Sequence, residues 1–203
     1  MISPYVLHLI SCILYPVLMS FKIISVTGAH SSVGKTTLCS ILLKNLKGFG
    51  AIKYTKTPLY TSVSDDPAVI LQNDKDTAIM SQSGAEKVVW VKSSGSELEN
   101  DLNIAMSKMD GLKGVVVEGN SPANCLNPHL IIFIIGEDGQ IKPSASEVSE
   151  KANIIIINSA GNIKNPSLAA FLSGKNAQTF RIDLIKKQGE IDKFITYIKK
   201  YVQ

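Results

Sequence analysis

From Phe21 onward, short runs of consecutive aliphatic residues alternate with stretches whose apolar positions recur every three or four residues. The runs fall at 21–26 (FKIISV), 51–54 (AIKY), 87–91 (KVVWV), 114–118 (GVVVE), 129–135 (HLIIFII), 153–157 (NIIII) and 179–184 (TFRIDL). Several are continuous Val/Ile runs, which predicts strands of a parallel sheet covered on both faces. Helices are expected at 35–46, 76–83, 96–108, 145–151, 166–173 and 189–202. In the last, Ile191, Phe194, Ile195, Ile198, Tyr201 and Val202 form one stripe opposite Lys193, Lys199 and Lys200, so that stripe is read as a core face. The segment GEDGQ at 136–140 reads as a tight turn and a candidate hairpin tip. With no repeat or low-complexity linker, the pattern predicts a single α/β domain over 21–203. It is a doubly wound, mostly parallel sheet inside a three-layer αβα sandwich.

Composition agrees with a globular chain: 45% of the 203 residues are hydrophobic and 19% charged. The net charge of +4 comes without Lys/Arg clusters, which argues against nucleic acid as a partner and for a cleft that attracts small anions. Cys12, Cys39 and Cys125 are odd in number and lack paired metal spacing, so reduced thiols and a cytoplasmic location are expected.

The first twenty residues, MISPYVLHLISCILYPVLMS, contain no Asp, Glu, Lys or Arg. An apolar extension of this length could anchor in a bilayer, although Pro16 interrupts it and no linker separates it from the run at Phe21. A secretory signal would need a positive n-region and a small-residue cleavage site. The favoured reading starts translation at Met19, with the upstream stretch an over-extended frame or an extra packed helix. A membrane partner is therefore not expected.

The chemistry concentrates in GAHSSVGKTT, directly after the first run. Gly28, Gly34, Lys35 and Thr36 satisfy G-x-x-x-x-G-K-[ST], between an expected strand and an expected helix. Glycines at those places let successive N–H groups of residues 28–37 wrap a phosphate at a helix N-terminus, so His30, Ser31, Ser32, Val33 and Thr37 are candidate nucleotide contacts with the motif residues. His30 reads equally well as a solvent-facing loop residue. Lys35 would neutralise β/γ-phosphate oxygens, and Thr36 would ligate Mg²⁺. Glu118 closes a valine run, where it is either a second Mg²⁺-holding carboxylate or a strand-end residue in solvent. The P-loop implies ATP or GTP with Mg²⁺ as cofactors.

The combination of VTGAHSSVGKTTL, AIKYT, NDKDTAIMSQSGAEKVVWV and GVVVEGNS resembles the molybdopterin-guanine dinucleotide biosynthesis protein B family. That family lies within the P-loop NTPase group holding dethiobiotin synthetase and the MinD/ArsA-type ATPases. The likeness covers about residues 21–122. This chain departs from the family at Tyr54–Pro58, where histidines are usual, at Asn120, where an aromatic is common, and in continuing beyond residue 130 through two further strand–helix units. The resemblance implies that Lys53 grips the γ-phosphate or an anionic acceptor, and that Asp76 belongs to the family's Lys-Asp-Thr element near the phosphates; a helix N-terminal position favoured by the dipole suits Asp76 equally. It also implies that Asn158 contacts the purine base; an asparagine capping the next turn fits Asn158 equally. His30 stands where MinD-type members carry a second lysine, which argues against MinD-style dimer-driven hydrolysis, although a homodimer stays open. Gly161 lacks the carboxylate that GTP-selective proteins place there, which leans toward ATP. Lys56, Asp65 and Asp66 are further candidates, the two aspartates reading equally as solvated turn residues, and Trp90 reads as core.

Two functions are expected. One is a Mg²⁺-dependent NTPase or small-molecule phosphotransferase, with Lys35, Glu118 and Lys53 as its catalytic residues. The other is a nucleotide-binding adaptor for a partner enzyme in molybdenum cofactor biosynthesis, with little turnover alone. A membrane-attached regulatory ATPase using the apolar N-terminus is a third, weaker reading.

Overall fold

The computed structural model describes residues 21–159, 161 and 165–202; the stretch 1–20 and the readings made of it lie outside the described residues. The described strands are β1 (Lys22–Gly28), β2 (Phe49–Lys56), β3 (Ser62–Ser64), β4 (Val88–Ser93), β5 (Gly114–Glu118), β6 (Leu130–Gly136), β7 (Ile154–Asn158), β8 (Gln178–Asp183) and β9 (Gln188–Gly189). They form one sheet in the order β3-β4-β2-β5-β1-β6-β7-β8-β9. β4 through β8 in that order run parallel, and the edge strands β3 and β9 are antiparallel.

The helices are α1 (Lys35–Asn45), α2 (Pro67–Ile70), α3 (Asp76–Gln82), α4 (Leu98–Ser107), α5 (Pro122–Cys125), α6 (Pro143–Glu150), α7 (Pro166–Leu172) and α8 (Ile191–Val202). They cover the sheet on both faces. In β6, Ile132 and Ile134 pack with Leu38 and Leu42 of α1 and with Phe194 and Ile198 of α8. The intervening Ile131, Phe133 and Ile135 pack with Ala145 and Val148 of α6 and Leu168 of α7. The lack of alternation along this run has a simple cause: both faces of the strand are interior. A third cluster joins Ile52, Val89, Val115 and Val117 to Leu98, Leu102 and Ala105 of α4. This is the expected αβα sandwich with a doubly wound, mostly parallel sheet.

Three local expectations change. The GEDGQ segment is a tight turn, closed by Gly139 N–H donating to the Gly136 carbonyl at 3.2 Å, but it is not a hairpin tip. It leads into α6, and β6 and β7 pair in parallel. β3 and β9 are edge strands of three and two residues, which no apolar run announced. Trp90 is only partly buried: its Nε1–H donates to Thr55 Oγ1 at 3.0 Å, and the Lys92 ammonium lies 3.9 Å from the ring centre. Among the described residues no helix is long and apolar enough to cross a membrane. Cys39 is buried and Cys125 exposed, both unpaired.

Candidate functional site

In an open parallel sheet, ligands sit beyond the carboxyl ends of the strands where successive connections leave in opposite directions. Here β1 lies between β5 and β6, and the chain leaves β1 toward β2 on one side and later returns to β6 on the other. The segment 28–35 fills that position.

β1 stops at Gly28, where a Cβ would lie 2.5 Å from Val33 Cγ1, so the loop can close only over a residue without a side chain. Asn120 clamps the same residue from beyond β5. Its Oδ1 accepts from Gly28 N–H at 2.9 Å and its Nδ2 donates to the Gly28 carbonyl at 2.9 Å. Ala29 N–H donates to Ile134 O, and Ala29 O accepts from Lys142 N–H. The loop then turns through Ser32 (φ 61°) and Gly34 (φ 105°), both left-handed. After the tight turn at Ser31–Ser32, the backbone N–H groups of Gly34, Lys35, Thr36 and Thr37 meet no hydrogen-bond acceptor among the described residues; the first satisfied amide of α1 is Leu38, bonded to Gly34 O. Unpaired amides at a helix start carry the partial positive charge that binds anions.

A cavity of about 520 Å³ opens over this turn, lined among others by Ser31, Ser32, Gly34, Lys35, Thr36 and Thr37. Lys35 Nζ donates to the His30 carbonyl at 3.1 Å. Burial pushes the Lys35 ammonium below its ordinary range, and Glu118 only partly opposes that. Glu118 is not a strand-end residue in solvent: it is 2% exposed. Its Oε2 accepts from Thr36 Oγ1 at 3.1 Å, and its Oε1 from Lys53 Nζ at 2.5 Å. Register explains the second contact, since Lys53 of β2 and Glu118 of β5 are paired neighbours. Asp76, the first residue of α3, reaches the same ammonium at 2.5 Å. Burial pushes the Lys53 ammonium down, but Glu118 and Asp76 outweigh it and raise its pKa. Asp76 moves oppositely: burial pushes its carboxyl up, and Lys53 outweighs this and holds it below the ordinary value. Thr36, Asp76 and Glu118 thus bring three hard oxygen donors together, a set whose chemistry suits Mg²⁺.

A second cavity of about 380 Å³ adjoins the first through Ser32 and is lined by His30, Val33, Glu137, Asp138, Asn158, Asp183 and Ile185, with others. Asn158 Nδ2 donates to Val33 O at 3.1 Å and its Oδ1 accepts from Leu184 N–H at 3.0 Å, so its carboxamide ties the loop to the end of β8. Each amide function keeps further bonding capacity toward the cavity. His30 Nδ1 lies 2.6 Å from Ser31 O.

Every main candidate from the sequence therefore lies in or beside these two cavities. Three others do not. Asp65 pairs with Lys108 at 2.9 Å, Asp66 caps α2 through Ala68 N–H, and Lys56 ends β2 exposed. Sequence reading missed the Asn120 clamp; its only signal was a carboxamide two residues past the carboxylate. It also missed Glu137 and Asp138, just past the end of β6, and Asp183, at the end of β8.

No family model and no curated protein sequence matches the chain. Solved structures do. HypB from Helicobacter pylori in complex with nickel is 12% identical, with a TM-score of 0.62 over 95% of this chain and 92% of that one. The hydrogenase maturation factor HypB from Archaeoglobus fulgidus is 15% identical, with a TM-score of 0.63 over 91% and 92%. A plasmid partition protein from Borrelia burgdorferi is 15% identical, with a TM-score of 0.51 over 89% and 99%. At these identities the likeness establishes the fold, that of the P-loop NTPases, and nothing narrower.

Proposed function

We propose that this chain binds a purine nucleoside triphosphate with Mg²⁺ and hydrolyses it or transfers its terminal phosphoryl group to a small anionic acceptor. The observation that carries this reading is the row of amides from Gly34 to Thr37, without acceptors among the described residues, at residues that line the same cavity as the Lys35 side chain. The β- and γ-phosphates would take those amides, and Lys35 would exchange its hold on the His30 carbonyl for phosphate oxygen. Thr36 and Glu118, joined by Asp76, would hold the metal, which supplies neutralisation of the phosphate charge. Positioning and charge account for most of the rate in such transfers. The second cavity, with Asn158 on its wall, would take the nucleoside, ATP or GTP.

The second reading is a nucleotide-dependent adaptor serving a partner enzyme, as in molybdenum cofactor biosynthesis; that one structural neighbour is a hydrogenase maturation factor is in keeping with it. It is favoured by Glu118, whose two oxygens are both engaged, one by Lys53 and one by Thr36. Equilibrium binding of ATP and GTP with Mg²⁺, together with steady-state phosphate release, tests both. The first reading expects binding and turnover that Lys35→Ala removes by at least about 100-fold, the scale of one lost charge-assisted phosphate contact. Micromolar binding with negligible phosphate release would select the adaptor. Absence of nucleotide binding would refute both.

A further inference from the structure

We propose that Lys53 is a tethered counter-ion that occupies the divalent cation's seat while the phosphate loop is empty and leaves it when a nucleotide brings its metal. This rests on the Mg²⁺–nucleotide reading above and adds what that reading does not contain: a lysine that excludes free metal and couples metal entry to nucleotide.

Glu118 and Asp76 each contact Lys53 Nζ at 2.5 Å, and the other oxygen of Glu118 takes the Thr36 hydroxyl at 3.1 Å. These three residues are the hard donors suited to a divalent cation, and the ammonium bridges the two carboxylates among them. The Glu118 side chain is 3% exposed and that of Lys53 15%, so water cannot replace either partner freely. A buried carboxylate needs a cation beside it, and for Glu118 that cation is Lys53. Two cations cannot share such a seat without strong repulsion at contact distance, so Lys53 must withdraw when a metal enters. Its flexible four-carbon stem permits this, and the adjoining cavity that would hold the triphosphate tail gives the displaced ammonium an anionic destination. Lys35 is parked in the same manner, on the carbonyl of His30. Both lysines are thus held by protein oxygens until phosphate and metal take over.

The test is Mn²⁺ binding, followed by electron paramagnetic resonance, on the full chain and on Lys53→Met, each with and without a non-hydrolysable nucleotide. Without nucleotide, Lys53→Met is expected to bind Mn²⁺ at least tenfold more tightly than the unmodified chain, while Lys53→Arg, which keeps the charge, gains nothing. The factor by which nucleotide improves Mn²⁺ affinity should shrink by the same tenfold in Lys53→Met. Should Lys53→Met fail to fold, ¹³C-methyl labelling of lysine amines reads the unmodified chain directly. The Lys53 resonance is then expected to shift with Mg²⁺ and nucleotide together and to stay fixed with Mg²⁺ alone. Equal Mn²⁺ affinities without nucleotide, or a Lys53 resonance that moves with Mg²⁺ alone, would overturn the proposal while leaving the nucleotide reading intact. If Mn²⁺ and nucleotide fail to bind together to any of the proteins, that reading falls, and this inference with it.

Discussion

Asn120 does with one side chain what a paired strand does with its backbone: it satisfies both the N–H and the C=O of Gly28. Asn120→Leu keeps the volume but strands two partly buried polar groups at the mouth of the loop. A stability loss of about 2 kcal/mol is expected in urea denaturation, with weakened nucleotide binding because the amides that follow lose their anchor. Gly28→Ala acts on the same turn from inside, since its Cβ meets Val33 Cγ1 at 2.5 Å and Lys35 Cγ at 3.3 Å. The loop must open to admit it, so affinity should fall by at least about tenfold, roughly 1.4 kcal/mol, in the same binding assay.

Asp76 gives a pH signature. Burial pushes its carboxyl up, but Lys53 prevails and it titrates below the ordinary 3.8. A lowered folded-state pKa means that the pair's contribution is present above 3.8 and is lost as pH falls through the folded value. Urea midpoints taken in EDTA between about pH 6 and pH 2.5 should therefore drop less steeply for Asp76→Asn than for the unmodified chain. Parallel curves would mean that the pair contributes nothing to folding. The partners of these side chains were poorly legible in the sequence for a plain reason. The loop motif is contiguous, so its ten residues announce themselves, whereas Asp76 meets Lys53, and Asn120 meets Gly28, only after the sheet has ordered its strands.

Elements were legible to the extent that both their faces are buried. NIIII and HLIIFII needed no alternation to be read as strands, because helices cover each side of β6 and β7. SVS of β3 and QG of β9 sit at the sheet edges with partly or fully exposed residues, so burial left no mark on their composition. The turn after β6 shows the limit of local chemistry: Gly and Asp signal a reversal of direction, but not whether the next element is a strand or the helix of a crossover. α1 is the element on which loop and core meet. Its Leu38, Leu42 and Leu43 are fully buried against the sheet, while its first turn carries Lys35 and Thr36. Leu42→Ala should cost about 3 kcal/mol, a cavity-forming truncation with little room to relax, measured as a shift of the urea midpoint at unchanged slope. Because Leu42 lies almost two turns from the phosphate end, nucleotide affinity under folding conditions should be largely preserved, which separates packing from binding within one helix.

At the scale of the molecule, the candidate site is built across the middle of the sheet. β2, β5 and β1 supply Lys53, Glu118 and Gly28, while the neighbouring cavity draws on the ends of β6, β7 and β8. A nucleotide lying in both cavities would touch strands from each half of the sheet, so its binding energy should appear in the unfolding of the whole domain and not of one part. At a ligand concentration about a hundredfold above Kd, mass action adds about 2.7 kcal/mol, worth about 5–10 °C in melting temperature for a chain of this size. Scanning calorimetry with ATP, GTP, ADP and GDP in Mg²⁺ is therefore expected to show one transition that moves upward as a unit. EDTA should remove part of the shift, by taking the metal from Thr36, Asp76 and Glu118. Lys35→Ala should melt near the unmodified chain without ligand and fail to move with it, since among the described residues the Lys35 side chain makes only one hydrogen bond, to its own loop. A melt that splits, with ligand raising only one of two transitions, would show that the halves of the sheet unfold separately and that nucleotide engages just one of them. An unmoved melt across all four nucleotides would leave the open amides of residues 34–37 without the anion their geometry calls for.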